Sequence, residues 1–131
     1  MMATILIADD DPVLREIASE MLRSTNHAAV LAEDGLEVLR LLDGITVDVL
    51  VTDMLMPNMD GVEVIMAARA KYPALKVLAI SGGGSVGASY MLHMAKVLGA
   101  DAILEKPLKL DTFIGAIRDL LEDQIVGSKA A

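Results

Sequence analysis

The stretch ATILIADDDPVLREIASEML, residues 3–22, decides how this chain folds. Its first six residues are a near-continuous apolar run, which Asp9-Asp10-Asp11 brings to an end. A run that does not alternate suits a parallel strand covered on both faces. Beyond the acids, Asp11 is placed to cap a helix and Pro12 suits the first helical position. Val13, Leu14, Ile17, Ala18, Met21 and Leu22 then recur at helical spacing. Strand, acidic turn and amphipathic helix make one β/α unit.

The same unit recurs along the chain. Further apolar blocks are AAVLA (28–32), VDVLVT (47–52), KVLAIS (76–81) and DAILEK (101–106). Helical patterns follow them: LEVLRLL after Glu33-Asp34-Gly35, then about Val62 to Lys71, where Tyr72-Pro73 stops the helix. A fourth runs from near Ser85 to a terminating Gly99, and a fifth from Asp111 to Gln124. Five alternating units predict an α/β fold, a doubly wound five-stranded parallel sheet with flavodoxin-like order 2-1-3-4-5 and five helices. Residues 1–126 are expected to form the one domain, with 127–131 a short loose tail.

Bulk properties narrow the function. A chain of 131 residues fits one domain with a real core. Eleven Lys and Arg against 19 Asp and Glu leave a net charge of −8, which argues against nucleic acid as a partner. The absence of cysteine excludes disulfides and thiolate metal sites and agrees with a cytoplasmic location. The opening MMATILIA is too short to span a bilayer and has no basic flank, so neither a signal peptide nor an anchor is expected.

In such a sheet, sites form beyond the carboxyl ends of the strands. Asp9 and Asp10 follow strand one, Asp53 strand three, Ser81 strand four, and Lys106-Pro107 strand five. The predicted order brings all four ends to one edge. Clustered carboxylates repel unless a cation sits among them, and an oxygen-only donor set favours a hard ion such as Mg²⁺. Asp11 is accounted for by capping, so Asp9 and Asp10 take the metal role. Asp53, in TDMLMPNMDG, is the candidate nucleophile for a phosphoryl group, which Lys106 would neutralise and Ser81 could hydrogen-bond.

One segment competes for attention. SGGGSVGAS, residues 81–89, comes close to a phosphate-binding P-loop, but Ala88 stands where that loop needs lysine. Its first residue, Ser81, carries the interest, and Gly82 to Gly84 are expected to act as a hinge. Asp60, in PNMDG, reads as a turn residue with no catalytic role. His27 and His93 read as lone surface histidines, and the nine methionines as core gap-fillers.

Taken together, Asp9-Asp10, Asp53 within DMLMPNMDG, Ser81 and Lys106-Pro107 resemble the receiver domains of two-component response regulators, over about Thr4 to Gln124. The resemblance implies phosphotransfer to Asp53 from a sensor histidine kinase or a histidine phosphotransfer protein. It implies Mg²⁺ bound by Asp10 and Asp53 directly, by Asp9 through water, and by the backbone oxygen of Leu55. It also implies a cis bond before Pro107, a downstream protein partner not named by the sequence, and a pairing face for a homodimer.

The chain departs from the family pattern where many receivers carry a switch aromatic, a position held here by Ile103. Tyr90 is the nearby aromatic: it could substitute for the missing one, and core packing is the expected account of it. The segment from Ser81 to Lys106 is slightly long, the extra length falling in the glycines. Leu55 and Gly83 hold positions that tune phosphoryl lifetime in the family, and neither side chain can orient a water.

The reading is therefore a stand-alone, non-enzymatic receiver, a switch or phosphoryl shuttle. A haloacid-dehalogenase-like phosphatase is the first rival, with Asp9 and Asp11 as its acidic pair. A non-phosphorylated adaptor is the second.

Overall fold

The computed structural model describes residues 2–56, 58–82 and 86–130, without the side chains of 86–89, 91–92 and 123–130. Five strands alternate with five helices: β1 (Thr4–Ala8), α1 (Pro12–Leu22), β2 (Ala28–Ala32), α2 (Gly35–Gly44), β3 (Val49–Asp53), α3 (Gly61–Lys71), β4 (Lys76–Gly82), α4 (Val86–Val97), β5 (Ala102–Lys106) and α5 (Leu110–Ala130). All strand pairs are parallel and the order is β2-β1-β3-β4-β5, the doubly wound arrangement expected from the apolar runs.

Alternation along each strand explains why helices cover both faces. Ile5, Ile7, Val49, Val51, Leu78 and Ile80 pack with Leu14, Ala18 and Leu22 of α1 and with Phe113 and Ile117 of α5. The intervening Leu6, Ala8, Leu50, Val77 and Ala79 pack instead with side chains of α2, α3 and α4. Each central strand thus feeds two separate cores. The edge strands differ from the expectation of full cover: Leu31 on β2 and Ile103 on β5 are 41% and 37% exposed. An edge strand has one strand neighbour, and its outer flank stays wet.

Side chains start three of the helices. Asp11 accepts from the Val13 amide at 2.9 Å, Asp34 from Glu37 at 2.8 Å and Asp60 from Glu63 at 3.0 Å. These bonds satisfy amides that lack a partner in the first turn. The turn before α3 has Asn58 at a φ of 69°, and Gly99 after α4 lies at 109°, a helix-terminating conformation open to glycine.

Three expectations change. Helix α5 runs to Ala130, past the end at Gln124 drawn from the sequence. The added stretch holds no proline, and its one glycine costs a helix only about 1 kcal/mol. His27 is not a lone surface group, since its Nδ1 accepts the Ala3 amide at 3.0 Å. Tyr90 is 63% exposed and so contributes little to the core, whereas His93 is exposed as expected. Gly83 and Gly84, two of the three glycines of the expected hinge, lie outside the described residues, as does Ser85.

The packing at α3 makes a direct test. A Cβ on Gly61 would sit 2.5 Å from the Asp53 carbonyl oxygen and 2.6 Å from Met54 Cα, both backbone atoms. Gly61→Ala should cost about 1–3 kcal/mol in urea unfolding. Gly44→Ala, whose Cβ would meet nothing within 4 Å, should be neutral or stabilising by up to about 1 kcal/mol.

Candidate functional site

The carboxyl ends of β1, β3 and β5 deliver three charged side chains to one place. Asp9 continues the Ile5–Ile7 series, Asp53 the Val49–Val51 series and Lys106 the Ala102–Leu104 series, so all three project on the α1/α5 side of the sheet. Asp9 is fully buried and Asp53 is 5% exposed. Between them, Lys106 Nζ lies 2.8 Å from Asp9 Oδ2 and 3.3 Å from Asp53 Oδ2. One ammonium is shared by two buried carboxylates.

Asp10, exposed at the end of the same turn, completes a triad of acids. One carboxylate oxygen from each of Asp9, Asp10 and Asp53 lies within 4.8 Å of the others. The donors are all oxygen, and among the described residues Lys106 alone forms ion pairs with them, which leaves the cluster with excess negative charge. Asp9 Oδ2 is buried and receives no hydrogen bond of regular geometry, its contact with Lys106 being an ion pair. A small hard cation fits this donor set on charge and ligand chemistry.

The backbone around the acids is held from several directions. The Asp9 amide donates to the Ala32 carbonyl at 3.1 Å, and Asp9 Oδ1 accepts from the Asp11 amide at 2.9 Å. Arg15, one turn into α1, donates from Nη1 to the Asp9 carbonyl at 2.6 Å. Next to Asp53, buried Thr52 donates to the Asp53 carbonyl at 3.0 Å, and the Leu55 amide approaches Asp53 Oδ1 at 3.4 Å. Sequence reasoning singled out neither Arg15 nor Thr52. For Arg15 the available signal was its position, since helical side chains lean back toward the N-terminus and so toward the acids.

The charges perturb one another. Burial pushes the Asp53 carboxyl above its ordinary pKa, and the charge of Asp9 adds to this, while Lys106 and the Leu55 amide oppose it. For Lys106 burial works against the charged form, but Asp9 and Asp53 outweigh it and hold the ammonium above its ordinary value.

Ser81 arrives differently. It is 2% exposed and sits at the same sheet edge, one residue past Ile80, which pairs with Asp53. Yet it continues the Val77–Ala79 series and pairs with Glu105, so it starts on the α2–α4 side of the sheet. Leu55 is 62% exposed, just beyond the end of β3. Asp11 caps α1 as expected, and Asp60, expected as a turn residue, caps α3. The Lys106–Pro107 peptide is cis.

A parallel five-stranded sheet with acids at the carboxyl ends of β1 and β3 and a lysine closing β5 is the arrangement of a receiver. The sequence profile of the response regulator receiver domain matches residues 5–118, and the chain belongs to that family. Among curated relatives, Response regulator MprA of Mycobacterium ulcerans is 34% identical over 92% of this chain and 51% of its own length. Transcriptional regulatory protein GlrR of Escherichia coli is 32% identical over 92% of this chain and 26% of its own length. The chain therefore spans about a quarter to a half of these relatives.

Solved structures agree on the fold. NtrX from Brucella abortus superposes with a TM-score of 0.90 at 25% identity, over 99% of this chain and 29% of that one. The chemotaxis response regulator CheY4 of Vibrio cholerae gives 0.81 at 26% identity, over 92% of this chain and 99% of that one. Receivers act in two-component signalling, take phosphoryl groups from histidine kinases and bind Mg²⁺ at an acidic pocket. Among the described residues, no helix is long and apolar enough to cross a membrane.

The raised pKa of Asp53 has a definite sign. The folded state holds the Asp53 proton more tightly than the unfolded chain does, so stability falls as pH rises from the ordinary value near 3.8 through the raised one. Above that window the cost of the buried charge is fully present. In EDTA at neutral pH, Asp53→Asn should therefore raise the melting temperature by roughly 2–6 °C. The gain should shrink on acidification and vanish below about pH 4. Calorimetry across this pH range checks both sign and window.

Proposed function

We propose that Asp53 is the phosphoacceptor of this receiver. The observation that carries the reading is the convergence of Asp9, Asp53 and Lys106, from three strands far apart in sequence, on one buried ionic cluster. The donor would be a phosphohistidine on a sensor histidine kinase or a histidine phosphotransfer protein. A carboxylate oxygen of Asp53 attacks phosphorus, the bond from phosphorus to the histidine nitrogen breaks, and the electron pair leaves with the imidazole. With the other ring nitrogen of the phosphohistidine carrying a proton, the imidazole leaves as neutral histidine and an aspartyl phosphate results.

The chain's own groups manage the charge. Lys106 is already 3.3 Å from Asp53 and can follow the negative charge as it moves to the phosphoryl oxygens. Ser81 can donate its hydroxyl proton to those oxygens once its strand end turns toward Asp53. Asp10 and Asp53 directly, Asp9 through water and the Leu55 backbone oxygen would hold a Mg²⁺, which would supply the rest of the neutralisation.

The protein thus acts as a switch or shuttle, not as an enzyme that turns over a separate substrate. Engagement of Ser81 and Lys106 favours one of two arrangements of β4, β5 and α4. Moving such an equilibrium from almost all one state to almost all the other takes roughly 5.5 kcal/mol of differential interaction. A doubly charged group with a cation and two protein donors can supply that. The output leaves as a protein contact, in the cytoplasm where a kinase's phosphohistidine would be met, and in this reading with a separate downstream protein.

The phosphatase alternative would need Asp11 for chemistry, but its carboxylate is engaged in capping α1. The adaptor alternative leaves the whole ionic cluster without a purpose.

Incubation with phosphoramidate and Mg²⁺ should add one phosphoryl group by intact mass, and Asp53→Asn should abolish the addition. Turnover of a simple phosphomonoester would favour the phosphatase instead. Ser81→Ala should still be phosphorylated, yet lose most of the phosphorylation-dependent amide shift changes in β4 and α4. Unchanged shift changes in that variant would remove Ser81 from the switch.

A further inference from the structure

We infer that Arg15 is a positioning residue for the metal site, a role that rests on the receiver reading given above. Three facts meet at this side chain. First, Asp9 and Asp10 are adjacent, so their carboxylates reach one ion only if the peptide between them is held in one orientation. Second, Arg15 Nη1 donates to the Asp9 carbonyl, an atom of that peptide, at 2.6 Å. Third, the other polar groups of Asp9 are engaged as well: the amide with Ala32, Oδ1 with the Asp11 amide and Oδ2 with Lys106. Arg15 closes the last freedom of the turn.

The local sequence produces this clamp. Asp11 and Pro12 fix where α1 begins, and Arg15 then lies one turn in, with the Arg15 amide bonded to the Asp11 carbonyl at 3.2 Å. A side chain there leans back over the helix start. Buried Leu14 anchors the same turn to the core, so the guanidinium projects from a rigid base.

Charge and geometry pull in opposite directions, which makes the role testable by sign. A cation beside three acids weakens their attraction for Mg²⁺, so removing it should tighten binding if charge is all that matters. If Arg15 holds the peptide, removing it should loosen binding, as loss of an outer-shell partner does by about 10-fold or more.

The experiment is a Mg²⁺ titration of the unphosphorylated full chain by calorimetry, with melting in EDTA as the folding control. Arg15→Ala should raise the Mg²⁺ Kd about 10-fold, with its EDTA melting temperature close to that of the parent. Arg15→Lys, which keeps a donor and the charge, should recover most of the affinity. Unchanged or tighter binding by Arg15→Ala overturns the proposal, as does a loss of affinity that Arg15→Lys fails to recover. A loss matched by a collapse in melting temperature assigns Arg15 to plain stability and also overturns it. If the parent chain takes up no Mg²⁺, or Asp53→Asn binds it as well as the parent, the receiver reading of the site fails with it. If those controls behave and only Arg15→Ala is silent, the clamp alone is wrong.

Discussion

The constraint on which this domain turns is the confinement of like charges at the end of a parallel sheet. Strands buried on both faces must emerge somewhere, and here two of them emerge as carboxylates, Asp9 and Asp53, that are almost fully enclosed. Two buried anions close together are expensive unless a cation is shared between them. Lys106 meets that need from the far edge of the sheet, and it can do so only because the order β2-β1-β3-β4-β5 brings β5 to the same rim. The topology and the ionic cluster therefore imply each other.

Partial compensation is the useful state. One ammonium paired with these acids leaves the cluster short of positive charge, and Asp53 is held above its ordinary pKa by burial first and by the charge of Asp9 second. A site fully neutralised by protein groups would have no appetite for a cation. The residual negative charge is carried by a turn that the protein fixes through backbone contacts from Ala32, Asp11 and Arg15. Rigidity in the scaffold and imbalance in the charge thus sit in the same few residues.

Much of this was readable from residue order. The five apolar runs marked the strands because burial on both faces suppresses alternation, and the acids and lysine stood out as polar residues ending such runs. The edges were less legible. Leu31 and Ile103 look like core residues in sequence, and only the position of their strands at the sheet rim exposes them. Arg15 and His27 escaped because each acts on backbone: Arg15 six residues back, His27 on Ala3 across 24 positions. A charged residue on a helix ordinarily reads as a solvated one, and the backward lean of helical side chains gives the direction of Arg15 without naming the carbonyl it reaches. Tyr90 was misjudged for the converse reason, since an aromatic in an apolar helix suggests burial, yet it stands 63% exposed.

The alternation of β4 has a last consequence. The five-stranded sheet is a wall between two cores, one lined by α1 and α5 and the other by α2, α3 and α4. Asp9, Asp53 and Lys106 belong to the first compartment, but Ser81 follows the residues that line the second. A hydroxyl drawn toward Asp53 would have to bring its strand end around the rim of the wall, and the helices behind it would feel that displacement. Under the proposed chemistry, an event on one side of the sheet is reported on the other, because Ser81 follows Val77 and Ala79 in the alternation of β4 while Asp53 follows Val49 and Val51 in that of β3.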